Sequence, residues 1–258
     1  MPISSSKDQF NANAPKYAVS DVHRAGPSLP VLLDLAAPSS DDYALDVATG
    51  AGHTALAVAR CVKRAVGLDI ASKMLEQARK LAIDQGITNC EFKEGSAEAL
   101  PFPAEQFSLV TSRHAPHHFH HADVFLAEVR RVLTGDGRFV MADQTTPSIE
   151  MLDWVNAWER TRDPSHFYQR TIEQWKSETA EAGFTWMEHR IVPYRLEFPW
   201  WVKQAGCDEE TIDKLVEHAA KADAFVRESY GLEFDESDRV TSFQLPMVVV
   251  RLEINKVS

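Results

Sequence analysis

Short apolar segments alternate with amphipathic, helix-like segments between Tyr43 and Asp143, and this alternation does most to limit the folds open to the chain. The helix-like segments are roughly 10–15 residues long, as crossover helices between parallel strands are. The strand candidates are YALDVAT (43–49), RAVGLDI (64–70), CEFKEG (90–95), QFSLVTS (106–112) and GRFVMAD (137–143). Such an order predicts βαβ units that build one doubly wound, parallel α/β sheet.

The composition changes after residue 147, because all six tryptophans lie in the remaining part of the chain. FTWMEHRIVPY (184–194) and PMVVVRLEI (246–254) are further strand candidates and bring the predicted sheet to seven strands. Thr171 and Gln174 have the spacing of a capping box that opens a helix. The periodicity of residues 208–230 predicts one long helix that ends before Gly231.

The charge of the chain argues against two classes of partner. With 27 basic and 38 acidic residues, its formal charge of −11 suits neither nucleic acid nor an anionic membrane surface. No run approaches the roughly 18 apolar residues of a membrane span, and the first 20 residues lack the apolar core of a secretory signal. The three cysteines are too far apart for a disulfide framework or a CxxC site. These features predict a cytoplasmic enzyme or binding protein.

The segment from Asp46 to Thr54 joins the first strand to the first helix. Gly50 and Gly52 allow a sharp turn and a close approach of the backbone to a ligand. The segment also fits the dinucleotide pattern G-x-G-x-x-A, but Asp46 would repel a pyrophosphate and would stabilise an ammonium group. Asp69, after the second strand, is placed to accept both hydroxyls of a ribose. The alternatives are that the glycines only shape a turn and that Asp69 only caps a helix.

Three sequence pieces, in order and within a match over residues 43–145, resemble the class I S-adenosylmethionine-dependent methyltransferases. The most similar subgroup is the ubiquinone/menaquinone-methyltransferase-like (methyltransferase type 11) proteins. The pieces are Asp46 with Gly50 and Gly52, then Gly67-Leu68-Asp69, then Gly95-Ser96-Ala97-Glu98-Ala99-Leu100-Pro101-Phe102.

The resemblance implies a Rossmann-like core at 29–147 that binds S-adenosyl-L-methionine, after a lead-in at 1–28. Residues 148–258 would then hold a helical, aromatic-rich insertion and the last two strands. The implied cofactor contacts are Tyr17, Asp46, Thr49, Gly50, Gly52, His53, Asp69, Ile70, Met74, Ser96, Ala97 and Arg113. Ser96-Ala97 departs from the family's common Asp-Ala, so an adenine contact there would depend more on the Ala97 amide.

Methyl transfer from a sulfonium is an in-line displacement that requires alignment, exclusion of water and, for some acceptors, removal of a proton. The pocket of a doubly wound sheet lies beyond the carboxyl ends of its strands, here at 113–121 and at Asp143. The segment SRHAPHHFHHAD holds five of the ten histidines, and His117 and His118 are the preferred general bases. His166, beside Arg162 in RTRDPSH, is a third catalytic candidate, although a salt-bridged turn explains that cluster too. No ligand spacing supports a metal site.

The favoured hypothesis is a methyltransferase (EC 2.1.1.-) that modifies O, N or C of a small, aromatic or hydrophobic metabolite. Arg162, Trp154 and Trp158 would contact this substrate, and a lid of aromatic residues would also include Phe167, Tyr168, Trp200 and Trp201, although core packing explains most of these aromatics equally well. The chief alternative is a protein that binds S-adenosylmethionine without methyl transfer, either a regulator or a pericyclic-type catalyst. A nucleic-acid methyltransferase is disfavoured, since Ser112-Arg113-His114-Ala115 replaces the expected Asn/Asp-Pro-Pro-aromatic motif. A dinucleotide oxidoreductase conflicts with Asp46. Either a monomer or a homodimer is expected.

Overall fold

A computed structural model describes residues 7, 9–11, 14–15 and 24–255 of the chain. Tyr17, which the family resemblance implicates in cofactor binding, lies outside these residues. Within the described part, no helix is both long enough and apolar enough to cross a membrane.

The described residues form one mixed sheet. Its strands are β1 (Tyr43–Val47), β2 (Arg64–Asp69), β3 (Cys90–Glu94), β4 (Phe107–Arg113), β5 (Leu133–Thr146), β6 (Arg170–Thr171), β7 (Phe184–Glu197), β8 (Glu233–Phe234) and β9 (Val240–Ile254). Seven of them form a continuous path in the order β3-β2-β1-β4-β5-β9-β7. The first five pair in parallel, while β9 is antiparallel to β5 and to β7. The short β6 and β8 pair with β5 and β9. The predicted doubly wound sheet of seven strands is confirmed.

Helices cover both faces of this sheet. From Ser28 onward they are α1 (Ser28–Ala36), α2 (His53–Ala59), α3 (Ser72–Asp84), α4 (Ala122–Val132), α5 (Leu152–Arg162), α6 (Ile172–Glu181), α7 (Phe198–Ala205), α8 (Glu209–Ala220) and α9 (Ala224–Ser229). Four of the five residues of β1 are buried, as a parallel strand covered on both faces requires. The strand order reverses between β1 and β4, and a crevice forms at the carboxyl ends of strands at such a point.

The expected single helix over 208–230 is wrong. The chain forms α8 and α9 instead, with Asp208 and Asp223 each at an N-cap and accepting a backbone N–H. The amphipathic pattern continues through this region without a break. A second helix starts there because Asp223 caps its first turn. The α7 helix was not predicted. Its sequence contains Pro199, which usually argues against a helix, but here the proline falls in the first turn, where it is compatible with one.

The tryptophans of α5 pack inside the helical layer. Trp158 is fully buried, and its ring centroid lies 5.0 Å from Trp154, 4.6 Å from Trp201 and 4.8 Å from Phe243. Its indole N–H donates to the carbonyl of Leu215 in α8. The same apolar cluster contains residues of the central strands, so this layer and the sheet share one core. The proposed boundaries at residues 28 and 147 stay predictions.

Candidate active site

A cavity, called here the first cavity, opens beyond the carboxyl ends of β1, β2 and β4. Most of the residues expected at the cofactor line it. They are Thr49, Gly50, His53, Asp69, Ile70, Met74, Ser96, Ala97 and Arg113. Other lining residues, including Phe10, His114 and Glu98, were not among the expected cofactor contacts, although His114 belongs to the segment 113–121 that was predicted at the pocket. The predicted strand-end location of the pocket therefore agrees with the geometry.

The glycine loop between β1 and α2 depends on left-handed backbone conformations. Gly50 has φ 54°, and a Cβ added there would meet nothing within 4 Å, so its backbone is open to the cavity. Gly52 has φ 87° and faces away, because an added Cβ would lie 2.8 Å from the Cβ of Ala78. The two glycines thus do different things: Gly50 lines the cavity, and Gly52 lets the loop pack on α3.

Asp69 connects the ends of β1 and β2. Its carboxylate accepts the N–H of Gly50 at 2.7 Å and the N–H of Ala71 at 2.8 Å. Burial raises the pKa of this carboxyl above its usual value, although the backbone hydrogen bonds act in the opposite direction. Asp69 therefore both shapes the glycine loop and presents an acceptor at the cavity wall.

Asp46 lies one layer deeper, behind Thr49. The hydroxyls of Thr49 and Thr111 donate to its two oxygens at 2.6 and 2.7 Å. Burial raises the pKa of Asp46 to about 6, against the effect of these hydrogen bonds and of the Arg113 charge. Among the described residues Asp46 is not part of the cavity lining. Its predicted contact with an ammonium group stays a prediction.

Arg113 places a buried cation at the end of β4. Its Nε donates to Thr54 at 2.9 Å and its Nη1 to Ser28 at 3.4 Å. Burial lowers the pKa of this guanidinium, but an arginine keeps its charge under all ordinary conditions. A guanidinium at a cavity wall is suited to bind a carboxylate.

A second cavity adjoins the first. Phe10, His114 and His118 line both. The rest of its wall, among the described residues, is mixed, with six aromatic or aliphatic residues and five polar ones. It consists of His117, Gln144, Arg162, Asp163, Tyr194, Leu196, Trp200, Trp201, Gln204, Leu245 and Met247. The two cavities therefore meet at His118, at the carboxyl edge of the sheet.

The three histidines predicted as catalytic are brought together. The ring centroid of His117 lies 4.1 Å from that of His118 and 5.5 Å from that of His166. Nδ1 of His117 is 2.6 Å from Oδ1 of Asp143, and Nδ1 of His118 is 3.0 Å from the carbonyl of Ser165. In the described residues, no group of three or more His, Cys, Asp or Glu is arranged to hold a metal ion.

Only two of these histidines face a cavity. His166 is buried behind them, with Nε2 2.8 Å from Oδ1 of Asn156. Burial is the main cause that lowers the pKa of both the His166 and the His118 rings. The pKa of His166 falls well below its usual range, and the pKa of His118 falls to about 3. Both are therefore neutral at physiological pH. The contact of His117 with Asp143 was not anticipated, because 26 residues separate the two and no local pattern connects them.

The residues predicted to bind substrate fall into two groups. Arg162 lines the second cavity, with Nη2 3.2 Å from Glu159 and Cζ 4.7 Å from the ring centroid of Trp201. The structure does not bring Trp154 and Trp158 to either cavity, since both belong to the core of the helical layer. Of the aromatics expected at a lid, Trp200 and Trp201 of α7 do line the second cavity.

Comparison with known proteins gives a consistent result. A family model described as a methyltransferase domain matches residues 45–141. The chain is 30% identical over 243 residues to the uncharacterized methyltransferase YcgJ of Bacillus subtilis, covering 94% of this chain and 96% of that protein. It is also 31% identical over 124 residues to the ubiquinone/menaquinone biosynthesis C-methyltransferase UbiE of Pseudomonas putida, covering 46% and 48% of the two chains.

Solved structures extend the similarity to the whole fold. The crystal structure of YcgJ aligns with a TM-score of 0.86 at 28% identity, over 89% of this chain and 99% of that one. A putative methyltransferase from Bacillus halodurans aligns with a TM-score of 0.86 at 29% identity, over 90% and 100% of the two chains. The helical layer that carries the second cavity therefore falls largely within the shared architecture.

Proposed function

This chain belongs to the S-adenosylmethionine-dependent methyltransferases, and from that premise we propose that it methylates a small, apolar or aromatic molecule held in the second cavity. The observation that carries the proposal is the junction of the two cavities at Phe10, His114 and His118. A donor in one cavity and an acceptor in the other would meet there, with the reacting atoms aligned and water displaced.

The charged residues that line the first cavity are complementary to the polar and charged groups of the cofactor. Asp69 presents a buried carboxylate that suits the ribose hydroxyls, and Arg113 presents a buried guanidinium that suits the methionine carboxylate. Gly50 leaves room for the ligand to approach the backbone. When bound, the cofactor supplies a sulfonium-activated methyl group. The protein's part is to hold the two ends of this molecule and to direct the methyl group toward His118.

The second cavity supports an apolar acceptor. Tyr194, Trp200, Trp201, Leu245 and Met247 provide large apolar surfaces. A binding site of this kind recognises a flat or aliphatic body through its walls and orients it through a few polar groups. Such a wall disfavours a highly charged acceptor.

The test is methyl transfer itself. The protein is incubated with S-adenosylmethionine carrying a deuterated methyl group and with fractionated bacterial metabolite extracts, and products are detected by mass spectrometry. We expect a labelled small molecule that forms more slowly, at limiting cofactor, when Asp69 is replaced by Asn. Calorimetry with S-adenosylhomocysteine runs in parallel. A protein that binds this ligand but labels nothing in any extract would contradict methyl transfer and favour a binding role.

A further inference from the structure

We propose that the methyl acceptor is the oxygen of a neutral, weakly acidic hydroxyl, as in a phenol or an enol, and that His117 removes its proton with Asp143 as its positioning partner. This rests on the proposed function, because it specifies the acceptor of the same site. The inference comes from the arrangement of hydrogen bonds around His117 and from the charges that line the second cavity.

The hydrogen bond between His117 and Asp143 determines which ring nitrogen faces the substrate. A carboxylate can only accept, so Nδ1 of His117 carries a proton and donates it to Oδ1 of Asp143 over 2.6 Å. In the neutral ring Nε2 then holds the lone pair. None of the described residues makes a hydrogen bond to Nε2, and the side chain lines the second cavity. His117 is therefore oriented as a proton acceptor toward that cavity.

Asp143 is placed to stabilise the charge that such a base acquires. It is fully buried on β5, and its other oxygen has no hydrogen-bond partner among the described residues. A buried carboxylate with a single partner is costly unless a positive charge develops next to it. Protonation of His117 provides that charge. A protonated His117 next to Asp143 is thus more stable than a protonated, buried imidazole without a carboxylate neighbour would be.

His118 is a poorer candidate for the general base, although it lies where the two cavities meet. Its Nδ1–H donates to a backbone carbonyl, that of Ser165, rather than to a carboxylate. Burial and the neighbouring His117 lower its pKa to about 3, and the charge of Asp163 only partly opposes this. His118 therefore stays neutral and forms part of the wall, while His117 takes the proton.

The transfer balances in atoms and in charge. The hydroxyl oxygen forms a bond to the methyl carbon as the sulfur–carbon bond breaks, and that electron pair remains on sulfur. The O–H proton moves to Nε2 of His117. The positive charge is thereby transferred from the sulfonium to the imidazolium, next to Asp143, and the net charge of the site does not change.

The lining of the second cavity favours a hydroxyl over an amine. Its charged side chains are Arg162 and Asp163, one of each sign, so an ammonium acceptor would face the sulfonium without a net negative charge in the wall. A neutral amine is already nucleophilic and needs no base for attack. A hydroxyl becomes a good nucleophile only as its proton leaves, which is what the His117–Asp143 pair provides.

The experiment uses the intact protein with the deuterated cofactor and the same metabolite extracts, and tandem mass spectrometry assigns the labelled atom. We expect a labelled methyl ether. His117→Asn, whose amide can still donate to Asp143 but cannot take a proton, should lower kcat about 10²–10⁴-fold with unchanged affinity for S-adenosylhomocysteine. The matched control is His121→Asn, an exposed histidine of the same segment, which should keep full activity.

Asp143→Asn tests the positioning role. The groups around His117 are Asp143 on β5, His118 in its own turn, Arg162 at the end of α5, and Asp163 and His166 after that helix. Without the Asp143 charge the imidazolium is less stable. Asp143→Asn should therefore lower kcat about 10-fold or more while KM for the acceptor and the affinity for S-adenosylhomocysteine stay close to those of the wild type. A structural role alone would change KM and this affinity as well.

The outcomes are separable. No labelled product from a wild-type protein that binds the cofactor means that the proposed function fails. A labelled amine or a C-methylated product leaves methyl transfer intact but overturns the hydroxyl assignment. An ether formed at the wild-type rate by His117→Asn overturns the assignment of the base. If that variant does not bind S-adenosylhomocysteine, His117→Gln and the kcat of Asp143→Asn decide instead.

Discussion

At the scale of single residues, Asp46 and Asp69 are two carboxylates at the ends of neighbouring strands that face different surroundings. Asp69 reaches the first cavity, while the oxygens of Asp46 are held by Thr49 and Thr111 behind it. The sequence identified both positions, because a glycine loop after a buried strand indicates where a ligand approaches. It could not show that a threonine separates Asp46 from the cavity, since that depends on side-chain packing.

Asp69→Asn should weaken the binding of S-adenosylhomocysteine by about 1.5–3 kcal/mol, the usual scale for losing charge-assisted hydrogen bonds. The amide keeps the size of the side chain but loses the negative charge and one acceptor. Isothermal titration calorimetry measures the change. Asp84→Asn, at an exposed position of α3, is the matched control and should bind as the wild type does. Unchanged affinity in Asp69→Asn would contradict the ribose contact.

Asp46 gives a prediction about pH. Its pKa in the folded chain is raised to about 6 from 3.8, so its contribution to stability is greatest below the lower value and is lost as the pH rises through about 6. Asp46→Asn removes this dependence. We therefore compare the free energy of unfolding of the variant minus that of the wild type at two pH values. This difference should be more positive at pH 7 than at pH 4, by up to about 3 kcal/mol. Urea unfolding at both pH values measures it, and a constant difference would refute the raised pKa.

At the scale of elements, the strands were predictable because parallel strands buried on both faces carry nearly continuous apolar runs. The break at Asp223 and the α7 helix were not, since each depends on a local cap or on the position of one proline rather than on periodicity. The start of α3 shows the same limit: Ala71 occupies the N-cap position without a side-chain hydrogen bond, although the next residue, Ser72, is of a type that commonly caps helices.

The capping box of α6 is the element whose sequence signal was fully confirmed. Thr171 accepts the N–H of Gln174, and the Gln174 side chain accepts the N–H of Thr171. Thr171→Ala should lower the free energy of unfolding by about 0.5–2 kcal/mol, because a helix N–H loses its partner. Thr171→Ser keeps the hydroxyl and serves as the control in chemical denaturation. Equal stability of the Ala and Ser variants would mean that the cap contributes nothing.

At the scale of the whole molecule, one apolar cluster extends from Leu109 of β4 and Val249 of β9 to Trp158 of α5 and Leu215 of α8. The aromatic-rich half is therefore not an appendage with a core of its own. From sequence, tryptophans of the core cannot be distinguished from tryptophans of a binding site, because both follow the same helical periodicity. The fold separates them, with Trp158 in the core and Trp201 at the second cavity.

Trp158→Phe tests this separation. The smaller ring leaves space among Trp154, Trp201 and Phe243 and removes the hydrogen bond to Leu215, so the free energy of unfolding should fall by about 1–3 kcal/mol. Since the sheet and the helical layer share this cluster, unfolding should remain one cooperative transition when followed by both circular dichroism and tryptophan fluorescence.

The affinity for S-adenosylhomocysteine should not change in Trp158→Phe, because Trp158 does not line the first cavity. Trp186→Phe, at a partly exposed indole on β7, is the control and should lose less stability. Two transitions in Trp158→Phe, with only the second sensitive to S-adenosylhomocysteine, would show that the helical layer folds independently of the sheet. The second cavity would then lie between two separately folding units, and its shape would depend on how they dock.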